Sequence, residues 1–368
     1  MEKTAYIVGA GLSHYAGLPL QAGFTKEILA ARGFRPGPSR EMVKLLDHFV
    51  HDVFHLKKIA DPSQWPDLED IFTFIDLSAN TGHHLGPKYD PKELRRIRRV
   101  LIARTIRMLY QRFEKARKQQ GPDWKQLVQF ARKVDVRQSR FISVNWDTSL
   151  ESVLTEFHPE MPLSYGSRIR PACFSADGKI QTLKIKSEQT IQIAKMHGSV
   201  NWLYCDSCRD VFWFAPGETL KIAAQIVRKE EIGARHGSSS IGLQCCNCHG
   251  VDLSTRMATF SYRKALDFPM FRQSWDTAES RLRDCGRWVF IGYSLPAADF
   301  EFKHLLKRVE LARPKRPRII VVSGGGSEAT ARTLRNYRGL FGRFIKEGET
   351  FLPQGLTGET ILKIASPE

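Results

Sequence analysis

Two Cys-x-x-Cys pairs are the sharpest chemical signal in the chain. Cys205 and Cys208 form the first pair, and Cys245 and Cys248 form the second. Each pair fits a tight turn that aims two thiolates at one ion, and four thiolates complete a tetrahedral structural zinc site that leaves no position for water. The pairs lie farther apart than in an ordinary zinc ribbon, and one pair could be incidental. Cys246 lies inside the second pair and could compete as a ligand.

A second group of candidate residues is polar and follows apolar runs. In SVNWDTS, Asn145 and Asp147 come after one strand-like run, and in KMHGSVNW His197 follows another. Parallel strands open at their carboxyl ends onto one binding crevice, so an amide, a carboxylate and an imidazole would meet there. Each residue alone has an ordinary explanation, because Asn or Asp often begins a turn and a lone His is often a core residue. Their shared position favours a site.

A glycine-rich loop, VGAGLSHYAGLP (residues 8–19), follows the first apolar run. It departs from the G-x-G-x-x-G dinucleotide fingerprint because His14 stands at the third glycine position and the next glycine is Gly17. The acidic residue expected about 20 positions later is also missing, since Glu27 falls in a helical run. A hydride-transfer domain is therefore disfavoured. The loop could still present backbone N–H groups to a diphosphate, with Ser13 as helix cap or phosphate donor.

Apolar runs that end in glycine or polar residues predict the strands of a parallel sheet, at residues 5–11, 140–147, 191–198, 287–294 and 317–326. Apolar residues at three- and four-residue spacing predict a mainly helical segment from Leu20 to Val134. The expected fold class is α/β, a Rossmann-like parallel sheet with a large helical insertion and a small zinc-binding module. The expected domains are a nucleotide-binding domain (1–21, 135–198 and 260–368), the helical insertion (22–134) and the zinc-binding module (199–259).

The composition indicates a globular protein of the cytoplasm. The 368 residues include 42% hydrophobic and 26% charged residues, with no apolar run of membrane-spanning length and no N-terminal leader pattern. Four of the seven cysteines lie in the two pairs, which favours a metal site in a reducing compartment over a disulfide framework. Cys173 and Cys285 resemble ordinary buried cysteines.

The chain is strongly basic, with 56 Lys and Arg against 39 Asp and Glu and a net charge of +17. The surplus is densest at residues 92–120 and 303–318. Interspersed apolar residues favour two solvated helix faces, although contact with nucleic acid or an acidic partner fits a positive surface too.

Four motifs together resemble the sirtuins, and within them the sirtuin-like domains of bacterial anti-phage defence proteins. GAGLSHYAGLP resembles G-A-G-x-S-x-x-x-G-I-P, which accounts for the late glycine, and VNWDT resembles T-Q-N-I-D. MHGS followed by the first cysteine pair has the family's order of catalytic histidine and zinc module. IGYSLPAAD (residues 291–299) resembles the ribose-binding G-T-S-L motif in a G-Y-S-L-P-x-x-D form typical of the defence branch.

The resemblance implies a site for NAD and a bound Zn. Asn145 would orient the nicotinamide ribose and a water, Asp147 would lie near the carboxamide, and His197 would be the general base. The implied zinc ligands are the four paired cysteines, and the implied cofactor-binding set is Gly9, Ala10, Gly11, Ser13, Gly17, Gly292, Ser294 and Ser323.

The departures from the family favour hydrolysis over deacylation. Leu20, Gln21 and Ala22 replace the D-F-R of sirtuin deacylases, and residues 255–270 lack the F-G-E segment that pairs with an acyl-lysine peptide. We expect an NAD glycohydrolase that depletes NAD in phage defence. An NAD-dependent protein-lysine deacylase and a non-catalytic NAD- or ADP-ribose-binding subunit are the alternatives. The expected partners are other copies of the chain and a separate protein such as a ring-forming ATPase or an Argonaute-like protein.

Overall fold

The computed structural model describes residues 2–29, 38–56, 65–166, 168–231, 243–250, 253–255 and 269–365. In chain order the elements are β1 (Thr4–Val8), α1 (Ala10–Tyr15), α2 (Gln21–Leu29), α3 (Pro38–Val53), α4 (Leu68–Thr81), α5 (Pro91–Gln119), α6 (Pro122–Lys133), β2 (Ser139–Ser143), α7 (Ser149–Phe157), β3 (Leu163–Ser164), β4 (Ile169–Phe174), β5 (Ile180–Thr182), β6 (Ile191–Lys195), β7 (Trp202–Cys205), β8 (Val211–Phe214), α8 (Thr219–Glu231), β9 (Leu253–Ser254), α9 (Pro269–Asp284), β10 (Arg287–Ile291), α10 (Phe300–Leu311), β11 (Arg318–Val322), α11 (Ser327–Phe341), β12 (Phe351–Leu352) and α12 (Gly358–Ala365).

A parallel sheet forms the centre of the domain that the sequence predicts to bind a nucleotide. Within the described ranges its strand order is β12-β11-β10-β1-β2-β6-β3, and every pairing is parallel. Its central strands are short apolar runs such as TAYIV and RWVFI, buried along their whole length, as expected for strands that are covered on both faces. The predicted strands are therefore confirmed, and each ends three or four residues before the end of its predicted run.

Helices cover both faces of this sheet. Tyr6 and Val8 of β1 enter the core beneath α1, α6, α7 and α12. Ala5 and Ile7, which point the other way, enter the core beneath α9, α10 and α11. This alternation follows from the two-residue period of a strand and produces the α/β layers that the sequence predicts.

A second, smaller sheet carries the paired cysteines and shares its core with the helical insertion. Its strand order is β5-β4-β8-β7-β9 in the described residues. Phe212 and Phe214 of β8 belong to the same apolar cluster as Leu101 of α5 and Ile222 of α8. The insertion and the cysteine module therefore form one body.

Two expected domain boundaries change as a result. Residues 169–182, predicted as part of the nucleotide-binding domain, supply β4 and β5 to the small sheet. Helix α6, predicted as part of the insertion, packs on the main sheet through Leu127 and Phe130. Sequence periodicity predicts helix α6 but does not say which core receives it, and strands β4 and β5 were not predicted.

Much of the basic helix α5 is buried inside the helical insertion. Arg99 and Arg104 are buried, and both Nε and a terminal nitrogen of Arg104 donate to the carbonyl of Ile28 at 3.2 and 3.0 Å. Burial, together with the charge of Arg107, lowers the pKa of Arg104 to about 10. Arg98 contacts Asp76 at 2.6 Å. The interpretation of α5 as a solvated face is therefore wrong for the middle of the helix, where buried arginines hold the insertion together, whereas Arg117 and Lys118 near its end are exposed.

No helix in the described part of the chain is long and apolar enough to cross a membrane.

The turns after β1 and β10 touch so closely that a side chain does not fit between them. Gly292 has φ +62°, and a Cβ there would lie 2.4 Å from backbone atoms of Gly11 and Leu12. Gly82 has a similar φ of +77° but nothing within 4 Å of its Cβ position. A comparison of substitutions at Gly292 and Gly82 therefore separates the energetic cost of backbone strain from that of steric overlap.

We expect Gly82→Ala to lower the free energy of unfolding by about 1–2 kcal/mol, the cost of a left-handed alanine. Gly292→Ala should cost about 1–3 kcal/mol more, because the backbone must also move apart. Urea denaturation of both variants measures the difference. Equal losses would contradict a tight contact between the two turns.

Candidate active site

The predicted polar residues lie together at the carboxyl edge of the main sheet. Strand β2 pairs with β6 so that Ser143 is opposite Lys195, and the N–H of Met196 donates to the carbonyl of Ser143 at 2.9 Å. Asn145 and His197 each follow this matched pair by two residues. Two neighbouring strands thus deliver both residues to the same level of the sheet edge.

Ser13 joins Asn145 and Asp147 into one hydrogen-bonded group. The Asn145 amide Nδ2 donates to Ser13 Oγ at 2.9 Å, and Ser13 Oγ donates to Asp147 Oδ2 at 2.7 Å. Asp147 Oδ1 accepts from the N–H of Ser149 at 2.9 Å. Ser13 is buried inside α1, whose N-cap is Gly9, so the expectation that Ser13 caps this helix is wrong. Its hydroxyl orients the amide and the carboxylate.

The glycine turn uses two of its N–H groups within the protein. Gly9 N–H donates to the Ile291 carbonyl at 3.0 Å, and Gly11 N–H donates to the Gly292 carbonyl at 2.8 Å. These donors therefore hold the sheet edge, which differs from the expectation that they face a diphosphate. Ala10, between them, is exposed.

Gly17 has a packing role in this structure. Its φ is +78°, and a Cβ there would lie 2.7 Å from Ala116 of α5. The late glycine of the first motif therefore lets the chain turn after α1 and pass close to the insertion.

His197 is buried and lies near a carboxylate that the sequence analysis left without a role. Its Nε2 is 3.6 Å from Asp299 Oδ1, and the His197 side chain is 7% exposed. Neither ring nitrogen has a hydrogen-bond partner among the described residues. An imidazole with both nitrogens unused is chemically available in a way that a hydrogen-bonded core histidine is not.

Ser294 and Ser323 follow β10 and β11 at the same edge. Ser294 is exposed, and its carbonyl accepts from Asn336 Nδ2 at 2.9 Å. Ser323 is buried, and its N–H donates to the Leu352 carbonyl at 2.9 Å. Their assignment to cofactor binding stays a prediction.

A buried ion pair beneath the site was not predicted from the sequence. Lys195 Nζ lies 3.0 Å from Glu151 Oε1, both side chains are fully buried, and Nζ also donates to the Asp147 carbonyl at 2.6 Å. The Tyr165 hydroxyl donates to Glu151 at 3.1 Å, and burial followed by the charge of Glu151 raises the pKa of Tyr165 well above its usual value. A lysine between the apolar residues Ala194 and Met196, at the end of a predicted buried strand, is the signal that could have revealed this pair.

Removal of one partner should therefore be costly. We expect Lys195→Met to lower the free energy of unfolding by about 3–5 kcal/mol, because it leaves Glu151 buried without its cation. Lys195→Met combined with Glu151→Leu should lose much less, since no charge stays buried.

The exposed pair Lys44–Glu41, at 2.8 Å, provides the control. Lys44→Met should change stability by no more than about 1 kcal/mol in the same urea titration, and a double variant as unstable as Lys195→Met would contradict this account.

The four paired cysteines form a compact cluster. The sulfurs of Cys205, Cys208, Cys245 and Cys248 all lie within 4.8 Å of one another. The Sγ atoms of Cys205 and Cys248 are 3.6 Å apart, and those of Cys208 and Cys245 are 3.8 Å apart. Tetrahedral zinc with bonds of about 2.3 Å requires sulfur separations of roughly 3.8 Å. The donor set therefore fits a closed, structural zinc site, and Cys246 lies outside it.

Two matching turns build this cluster. Arg209 N–H donates to the Cys205 carbonyl at 2.8 Å, and His249 N–H donates to the Cys245 carbonyl at 3.0 Å. Arg209 and His249 both have positive φ, at +63° and +60°. Each cysteine pair thus closes the same kind of turn, and the two turns face each other.

The thiols differ in their surroundings. Burial raises the pKa of the Cys205 and Cys245 thiols, whereas the backbone N–H of Gly250 lowers the pKa of the Cys248 thiol.

We expect the purified chain to hold one zinc ion, measured by elemental analysis. Cys248→Ser should lose the metal and lower the melting temperature, because one of four ligands is gone, and chelation of the wild type should do the same. Cys248 is exposed, so lost packing contributes little. Cys246→Ser, two residues away, is the matched control and should keep both metal and stability. Loss of zinc from the control would assign Cys246 to the metal.

No family profile matches this chain. No curated protein matches it either. Among solved structures, one described as the structural basis for the mechanism and regulation of Sir2 enzymes is 14% identical with a TM-score of 0.39, covering 99% of this chain and 92% of that chain. A complex of Sir2 with a p53 peptide and NAD+ is 13% identical with a TM-score of 0.38, covering 98% and 91%. Sir2 bound to acetylated peptide is 12% identical with a TM-score of 0.35, with the same coverage.

Proposed function

We propose that the chain is an NAD glycohydrolase that converts NAD and water to nicotinamide and ADP-ribose. The observation that carries the proposal is the group of Asn145, Ser13 and Asp147, joined by hydrogen bonds of 2.9 and 2.7 Å, with His197 on the neighbouring strand at the same sheet edge. These are the motif positions that resemble the sirtuin site, and they occur in the family's order.

The residue types suit cleavage of the nicotinamide–ribose bond. The bond between ribose C1′ and the pyridinium nitrogen breaks, its electron pair goes to nicotinamide, and the sugar passes through an oxocarbenium-like state. Water then adds to C1′ and gives up one proton. Asn145 and Asp147, fixed by Ser13, are dipoles and charge held in place before the reaction, and His197 is the base that accepts the proton.

Water is the proposed acceptor because the chain lacks the family's F-G-E segment, which would capture a peptide. The corresponding stretch, residues 255–270, lies mostly outside the described residues. The deacylase alternative makes a different product, an O-acyl-ADP-ribose, and needs an acylated peptide for turnover. Product analysis with and without an acetyl-lysine peptide therefore separates the two activities.

We expect purified protein to release nicotinamide from NAD without peptide at a low basal rate, measured by liquid chromatography. Asn145→Ala and His197→Ala should each lower kcat by roughly 10²-fold or more, since each removes a group that acts on the transition state. His48→Ala, an exposed histidine on α3, is the matched control and should retain full activity. Site variants as active as the wild type would exclude this site, and turnover only with acetylated peptide would favour the deacylase.

We also propose that this activity depletes NAD during phage defence and stays low until an activator or an assembly step acts, because a constitutive NADase would exhaust its own cell. The proposed partners are further copies of the chain and a separate protein such as a ring-forming ATPase or an Argonaute-like protein. The internal use of the α5 arginines gives less weight to nucleic acid as a partner of that helix.

A further inference from the structure

The G-Y-S-L-P-x-x-D motif ends in a carboxylate that points back to His197. Asp299 is 7% exposed, and its Oδ1 lies 3.6 Å from His197 Nε2. The two residues are far apart in sequence, and Asp299 directly precedes α10 whereas His197 follows β6. The proposed ribose-binding role of this motif uses Gly292 and Ser294 and leaves Asp299 unexplained.

We propose that Asp299 is the positioning residue of His197, a role that rests on the proposed function of His197 as base. Because Asp299 faces Nε2, its carboxylate favours the imidazole that carries its proton on Nε2. Nδ1 then keeps a free lone pair to accept the proton from water. Once His197 has taken that proton, the imidazolium lies beside the Asp299 carboxylate, and the attraction between the two charges offsets the cost of burying the cation.

The separation of 3.6 Å is longer than a hydrogen bond, and it suits a resting state. Histidine–carboxylate contacts at active sites are often loose without substrate and shorten when substrate binds. A movement of well under 1 Å would bring Nε2 and Oδ1 within hydrogen-bond distance. The pair therefore needs only a small adjustment to act.

Asp299 is itself held in place by two tyrosines. The Tyr293 hydroxyl donates to Asp299 Oδ2 at 2.8 Å, and the Tyr337 hydroxyl donates to the Tyr293 carbonyl at 2.9 Å. Burial, and then the charge of Asp299, raise the pKa of Tyr293 well above its usual value, so this hydroxyl stays a donor. One carboxylate oxygen is thus anchored while the other faces the imidazole.

The backbone between these residues is also strained. Leu295 is fully buried and has φ +53°, a region that branched side chains rarely adopt. Such a conformation persists only where the surroundings fix it, and it is common where a loop must present a functional group. Here it leads the chain from Gly292 round to Asp299.

The tautomer of His197 gives a test that does not depend on activity. Nitrogen-15 NMR of the imidazoles, with the His197 signal assigned from its loss in His197→Gln, should show the Nε2–H form in the wild type. Asp299→Asn should shift this signal or mix the tautomers. A wild-type ring with its proton on Nδ1, or a signal unchanged by Asp299→Asn, would overturn the inference even if the chain cleaves NAD.

The kinetic test uses the wild type, Asp299→Asn and a double variant. Asp299→Asn should lower kcat for NAD cleavage at least about tenfold with KM within about threefold, because it acts on the base and not on binding. In a His197→Ala background Asp299→Asn should have no further effect, within about twofold, since its partner is gone. Additive losses would overturn the inference.

Controls separate this role from stability. Asp123→Asn makes the same change in the first turn of α6 at an exposed position and should leave kcat unchanged. Should Asp299→Asn not fold, Asp299→Glu keeps the charge and should retain a folded chain, the wild-type tautomer and more than a tenth of the wild-type kcat. A folded Asp299→Glu without that tautomer would contradict the proposal. A wild type that shows the tautomer effect but no NAD cleavage under any condition would refute only the proposed function.

Discussion

The contact between two glycine turns is the constraint on which the site depends. Gly11 and Gly292 approach so closely that a Cβ on either would overlap the backbone of the other, and Gly11 N–H donates to the Gly292 carbonyl at 2.8 Å. This contact fixes the start of α1 against the loop after β10. Ser13 is thereby placed over the end of β2, where it meets Asn145 and Asp147, while the loop that leaves Gly292 carries Asp299 to His197. A parallel sheet supplies the common edge, but only glycine permits this closeness between its turns.

The candidate site is held both by the main-sheet domain and by the body that the insertion and the cysteine module form. Trp146 stands between Asn145 and Asp147 in sequence, yet its side chain packs in the apolar cluster of the insertion, with its ring centroid 5.8 Å from that of Phe72. Its carbonyl accepts from the N–H of Val200 at 2.9 Å, which ties the loop after β2 to the loop after β6. The two residues that flank Trp146 are therefore held from opposite sides, by Ser13 in one body and by the insertion core in the other. The helical insertion is therefore anchored directly beside the candidate site.

Much of this molecule could be predicted from local patterns in the sequence. Apolar runs that stop at polar residues predict β1, β2, β6, β10 and β11, and the four-cysteine cluster follows from the spacing of the two pairs. Contacts between residues far apart in the chain were not predictable. Helix α6 has the same periodicity whichever core it joins, and nothing in the run GAGLSHY distinguishes a capping Ser13 from one that bonds Asp147, more than 130 residues away. Likewise the arginines of α5 resemble a solvated face until their partners, such as the Ile28 carbonyl, are known.

Two buried acid–base pairs occupy this sheet edge, and their difference indicates what each does. Lys195 has acceptors at 2.6 and 3.0 Å and no exposure, so two of its three N–H donors are engaged and the pair fixes the Asp147 loop. His197 is also nearly buried, but Asp299 is 3.6 Å away and neither ring nitrogen has a hydrogen-bond partner among the described residues. A buried polar group without a partner costs about 1–3 kcal/mol, and a catalytic role is one of the reasons for which proteins accept that cost. Lysine, with three donors and a strong preference for its charged form, suits the static pair. Imidazole exchanges a proton near neutral pH, and so suits the role of base that we propose for His197.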